Sequence, residues 1–219
     1  MGYILFNFML HLSDFKAYWR ILESETRTIN TSFLTSQGGI IAPEKIRSTL
    51  VDRGFIQNKD FLVVVRGSSQ KLIVFGTDGK KLKEFPISTA AKGFGMQSDS
   101  GKTPIGLFQI GQKKLGRKGE IFVAKRPTGQ LLGNNQDSTR RDEKGVVHKA
   151  EVITGFIDLV GLEDRNRNTF SRSIYLHGTN RESSLGTPAS GGCIRTPNNE
   201  IIWLAKNLPD KSYVFIQPN

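Results

Sequence analysis

The sequence predicts a mainly β domain that follows a helical N-terminal extension. Three observations carry this. Short runs of β-branched and aromatic residues recur from Asp60 onward, separated by Gly, Pro and Asp-Gly turn signals. Helical spacing of apolar residues is confined to residues 1–56 and to one stretch near the C-terminus. Glycine is abundant, at 23 of 219 residues, which favours strands joined by turns over a helical bundle.

In order, residues 13–30 place Phe15, Tyr18, Trp19 and Leu22 on one helical face, with Ser13 as N-cap. The segment TSFLTSQGG reads as a linker. Residues 43–54 predict a second helix, with Pro43 in the first turn, Ile46 and Leu50 on one face, and Gly54 just past the end. We divide the chain into this extension, 1–56, and a β-rich domain, 57–219. In the latter, strands are expected at 61–65, 71–75 and 82–88, with a hairpin turn at Asp78-Gly79. Further strands are expected after Pro104 and Gly106, at 120–125, at 152–161 and at 172–180. Residues 133–145 carry no apolar side chain and read as a mobile surface loop, a candidate lid. A helix is expected from Thr196 or Pro197 to Pro209, and a last strand at 212–217.

The formal charge of +11 favours an anionic partner. The basic residues are scattered, with no basic helix and no interleaved aromatics, which argues against nucleic acid. The apolar run Tyr3 to Leu12 is interrupted by Asn7 and His11 and is too short to span a bilayer. It reads equally as a degraded export signal or as the start of a helix.

Chemistry concentrates in SGGCIRTPN, residues 190–198, around Cys193, the sole cysteine. A thiol becomes a strong nucleophile as the thiolate, and a histidine within reach is the usual activator. Of three histidines, His11 lies in the N-terminal run and His148 reads as structural. His177 ends a strand, with Tyr175 on its face and Ile174 and Leu176 on the other. One cysteine is commonly a small buried hydrophobe, and one histidine a satisfied hydrogen-bonding residue. The combination weakens both readings. Gly191-Gly192 suits an oxyanion hole of main-chain N–H groups. Arg195 offers a planar fork for a carboxylate. A helix starting at Thr196 or Pro197 would set positive charge near the thiolate. One cysteine and three scattered histidines show no metal-ligand spacing, and no nucleotide cofactor is indicated.

The segment IYLHGTNRESSLGTPASGGCIRTPNNEI, residues 174–201, resembles the catalytic signature of the L,D-transpeptidase family (the YkuD-type domain). Members carry a strand ending in His-Gly, a Leu-Gly-x-Pro turn, then Ser-His-Gly-Cys, often followed by Ile-Arg. FPISTAAKGFGMQSDSGKTPIGLFQI, residues 85–110, also resembles the family. The resemblance covers roughly residues 60–217 and implies a β-sandwich with a helix after the cysteine.

It also implies roles. Cys193 matches the nucleophile, His177 the general base and acid, and Gly178 the main-chain carbonyl that orients the imidazole. Gly192 and Cys193 match the oxyanion N–H groups. Arg195, with Tyr175 and Ser190, is placed as a substrate contact. The family's histidine two residues before the nucleophile is Gly191 here, which puts the tuning of the pocket in question but leaves the dyad. The implied substrates are peptidoglycan stem peptides, handled without metal or organic cofactor in the periplasm or cell envelope. Two alternatives stand beside transfer to an amine: hydrolysis on the same scaffold, and a wall-binding module with an inert cysteine.

Overall fold

The β-branched runs do form strands. A computed structural model describes residues 29–35, 41–123, 125–132, 139–141, 147–149 and 152–218. The strands are β1 (Leu62–Arg66), β2 (Lys71–Phe75), β3 (Lys81–Pro86), β4 (Gly106–Leu115), β5 (Glu120–Val123), β6 (Arg126–Leu131), β7 (Thr139–Arg141), β8 (Val147–Lys149), β9 (Ile153–Gly161), β10 (Tyr175–Gly178), β11 (Ile194–Thr196) and β12 (Tyr213–Gln217). The described helices are α1 (Ser32–Thr35), α2 (Pro43–Asp52) and α3 (Asn198–Asn207).

One sheet runs β11-β10-β9-β4-β12-β1-β2-β3. Its pairings are antiparallel, except that β1 runs parallel to β12 and β10 parallel to β11. The sheet folds back until its two ends meet. Ser88, just past β3, exchanges main-chain bonds of 3.0 and 2.9 Å with Arg195 in β11. The two halves therefore face each other as the layers of a sandwich. Val63, Val65, Phe108, Ile157, Leu176, Ile194 and Val214 pack between them, with Ile201 and Leu204 of α3.

The outer face of β1 and β2 is also apolar. Leu62, Val64, Ile73 and Phe75 pack against Ile46 and Leu50 of α2. A strand buried on both faces needs a continuous apolar run rather than alternation, as Leu62 to Val65 supply. Ile46 and Leu50 are fully buried, and each such side chain contributes about 1.5–3 kcal/mol. The extension is tied down by a buried carboxylate as well. Glu163 accepts hydrogen bonds from Thr31 N (3.0 Å), Thr31 Oγ1 (2.7 Å), Leu107 N (2.6 Å) and Arg165 Nε (2.9 Å). The division drawn at residue 56 marks a change of sequence texture. The described part of the extension, from Ile29 to Ile56, shares one core with the sheet.

Several elements differ from expectation. The expected linker contains α1. β6 was not foreseen, because RPTGQL is exposed along its whole length and carries no apolar alternation. The loop 133–145 lies largely outside the described residues, but Thr139–Arg141 within it pairs with β8 and is strand, not loop. His148 lies in β8 opposite Arg140. The expected helix 13–30 and His11 lie outside the described residues. Among the described residues, no helix is long and apolar enough to cross a membrane.

Candidate active site

Strand alternation builds the site. Leu176 of β10 points into the core, so Tyr175 and His177 share the opposite face. Register brings further residues to that face. Tyr175 pairs with Asp158 and His177 with Phe156 on β9. On the other side His177 pairs with Arg195, and Leu176 with Ile194. Continued one residue back, this register sets Cys193 beside Tyr175. Two rows result: Asp158–Tyr175–Cys193 and Phe156–His177–Arg195. Cys193 and His177 are diagonal neighbours, with Cα atoms about 8 Å apart for ideal strand spacing, within reach of a thiol and an imidazole.

His177 is buried, and its Nδ1 lies 2.8 Å from Gly178 O. A carbonyl only accepts, so Nδ1 carries the proton and Nε2 is left with a basic lone pair. The partner of that nitrogen is the main-chain carbonyl of Gly178, the residue named from the sequence. Thr196 Oγ1 donates to His177 O at 3.1 Å and fixes the end of the strand.

Cys193 is partly buried, packs against the core, and its thiol donates to Ser173 O at 3.4 Å. The turn before it is fixed from within. Ser190 Oγ donates to Cys193 O at 2.5 Å and accepts from Gly192 N at 3.2 Å. Thr103 Oγ1 holds Gly192 O at 2.9 Å. Gly192 has φ +138, and a Cβ there would meet Ile174 Cδ1 at 2.8 Å. In this state the Gly192 N–H is directed at Ser190 rather than into open space. Ser190, largely buried, holds the turn rather than facing outward.

Arg195 is placed differently from the sequence reading. It is 2% exposed, and its main chain pairs with Ser88 along the edge of β11. The helix is also displaced. It begins at Asn198, with Pro197 at the N-cap, and Thr196 belongs to β11. Three strand residues separate it from Cys193, about 10 Å at 3.3 Å per residue, whereas a helix-end charge falls off within one turn.

A nearer cation is Arg172, which the sequence reading placed in a strand and did not single out. It lies in the turn before β10, where Ser173 takes φ +55. Its guanidinium donates to Gly95 O (3.1 Å), Lys102 O (2.6 Å) and Ser100 Oγ (3.4 Å). Burial lowers its pKa, while the charges of Asp99 and Cys193 pull it back up. Burial, then the charges of Cys193 and Asp158, push the Tyr175 hydroxyl well above its ordinary value. Asp158 was also overlooked. Its signal was present, as an acid inside the otherwise apolar run FIDLVG, where it is 1% exposed.

A buried imidazole with its Nδ1 on a main-chain carbonyl and a partly accessible thiol thus stand at the β10–β11 edge of the sheet. The family model for the L,D-transpeptidase catalytic domain (YkuD) matches residues 60–216, and the chain belongs to that family. A 50-residue stretch is 42% identical to the Bacillus subtilis protein named "Putative L,D-transpeptidase YqjB", covering 23% of this chain and 28% of that protein. An L,D-transpeptidase from Mycobacterium smegmatis superposes with a TM-score of 0.43 at 18% identity, covering 72% of this chain and 58% of that one. One from Mycobacterium tuberculosis H37Rv gives 0.44 at 16% identity, covering 72% and 57%. The chain thus spans less than two-thirds of the length of these proteins.

Proposed function

We propose that this protein is a peptidoglycan L,D-transpeptidase of the cell envelope that works through a Cys193 thioester. Cys193 Sγ exchanges its bond to Ser173 O for one to His177 Nε2, which takes the thiol proton. The thiolate attacks the carbonyl of the diacid third residue of a tetrapeptide stem. The C–N bond breaks, and His177 returns the proton to the departing D-alanine amine. An amine of a second stem then attacks the thioester carbonyl, its proton passes to His177, and Cys193 leaves as thiolate. The Gly178 carbonyl keeps Nδ1 protonated throughout, so that Nε2 is always the atom that exchanges protons. The net positive charge of the chain suits an anionic wall polymer.

The observation that carries the reading is the 2.8 Å contact of His177 Nδ1 with Gly178 O, one row from Cys193. The test is incubation with a disaccharide tetrapeptide, followed by mass spectrometry of protein and products. The expected result is a Cys193 adduct equal to the stem less D-alanine, then a crosslinked dimer. Cys193→Ala should form neither while melting like the parent. Turnover in Cys193→Ala would refute the mechanism. Adduct followed by tripeptide alone would assign the protein as a hydrolase on the same scaffold.

A further inference from the structure

Lys125 lies in the turn of the β5–β6 hairpin, between the paired residues Val123 and Arg126. Its backbone is left-handed, with φ +63, a conformation that favours glycine. A lysine held there has its side chain drawn inward. Nζ lies 2.8 Å from Asp158 Oδ2, and the two side chains are 12% and 2% exposed. Three rings wall the same ammonium: Phe170 at 4.5 Å from the ring centroid, Phe156 at 5.7 Å and Tyr175 at 5.8 Å. A carboxylate floor with aromatic walls is the chemistry that recognises an alkylammonium group.

The position of the box gives that chemistry a use. Asp158 pairs with Tyr175, and Tyr175 and Cys193 each stand one residue before the first β10–β11 pair, Leu176–Ile194. Two strand spacings, about 10 Å between Cα atoms, separate Asp158 from the nucleophile. The hairpin joins the main sheet through its β5 side, by the Ile121–Ile153 pair, the 2.9 Å bonds from Phe122 N to Val152 O and from Gly119 N to Thr154 Oγ1, and the edge-on contact of Phe122 with Phe156, while β6 is exposed throughout.

We propose that Asp158, Phe156, Phe170 and Tyr175 form a subsite for the primary ammonium of the acceptor, and that Lys125 is its resident occupant, displaced as the acceptor lifts the hairpin. This rests on the acyl-transfer reading above. The box takes the ammonium form, and transfer uses the free amine. One proton goes to solvent. Nitrogen then bonds to the thioester carbonyl carbon, the second proton passes to His177 Nε2, and the C–S bond breaks with Cys193 leaving as thiolate. Lys125 thereby competes with the acceptor.

The test uses Lys125→Gly, which suits the left-handed backbone and empties the box. The acyl-enzyme formed from a tetrapeptide stem is offered 1-aminopentane, or 1-pentanol as its neutral isostere. The readout is the ratio of captured to hydrolysed acyl group, which counts active molecules only. Lys125→Gly should raise capture by the amine about tenfold with no matching gain for the alcohol. Adding Asp158→Asn should abolish the gain. An unchanged ratio, equal gains for amine and alcohol, or a gain that survives Asp158→Asn would each overturn the proposal. Calorimetric titration of pentylammonium separates this from the acyl-transfer reading, because it needs no thioester. Binding to Lys125→Gly and loss of binding in the double variant support the subsite. Absence of binding to Lys125→Gly overturns it, whatever the acyl chemistry does.

Discussion

Replacing Glu163 by glutamine should cost the protein far more than a change of one atom suggests. The carboxylate is 2% exposed, and each of its oxygens accepts twice. Oε1 accepts from Thr31 Oγ1 and Leu107 N, and Oε2 from Thr31 N and Arg165 Nε. A glutamine presents one oxygen and one NH2 group, so in either orientation two donors face another donor. Hydrogen bonds to a charged acceptor contribute about 1.5–3 kcal/mol each. Two lost bonds imply about 3–6 kcal/mol. Arg165 is 29% exposed and can turn to water, so the lower end, about 3 kcal/mol, is expected. For a chain of this size that lowers Tm by about 6–12 °C. Calorimetry and urea unfolding measure it directly. Glu163→Gln and Thr31→Val should also be non-additive, since each removes partners of the other. A loss below about 1 kcal/mol, or strict additivity, would refute the claim that this carboxylate pins the extension to the sheet.

Arg172→Met should move the pH midpoint of iodoacetamide labelling at Cys193 upward and slow labelling at pH 7 about three- to tenfold, because a nearby cation favours the thiolate; a parental midpoint would remove Arg172 from the site. Glu84 pairs with Lys71 at 2.7 Å and Lys81 at 2.9 Å, and hydrogen bonds from those two lysines lower its pKa to about 2. A depressed carboxylate stabilises the fold above its unfolded value of about 4.3 and loses that effect as pH falls through about 2. Glu84→Gln should therefore cost at most about 1 kcal/mol at pH 7, after allowing for solvent screening, and nothing below pH 2, as pH-dependent denaturation would show. Gly191 and Gly192 should differ sharply. A Cβ at Gly191 meets nothing within 4 Å, so Gly191→Ala should leave Tm within about 1 °C of the parent. Gly192→Ala forces a side chain onto Ile174 at φ +138 and should lower stability by about 2 kcal/mol and slow acylation, and equal melting of the two would refute this account of the turn.

The sequence by itself determined the local chemistry. The run Leu62 to Val65 could be little other than a buried strand, and Pro43 to Gly54 little other than a capped helix. Period-two alternation put Tyr175 and His177 on one face of β10, and the Gly-Gly before the sole cysteine marked the turn ahead of it. These follow from neighbours in the chain, which periodicity and turn preference report. What only the tertiary structure decided depends on register between distant strands. The parallel pairing of β10 with β11 sets the thiol at the level of Tyr175 and puts Arg195 beside His177 with its side chain buried. Closure of the sheet at Ser88 pairs the free edge of β11, and it joins residues 107 positions apart. Lys125 meets Asp158 across 33 residues, and Arg172 reaches Lys102 and Gly95 across 70 and 77. No local pattern encodes which of many charges will be carried under a hairpin or against a thiol, because that is fixed by how ten strands align when the sheet folds onto its own core.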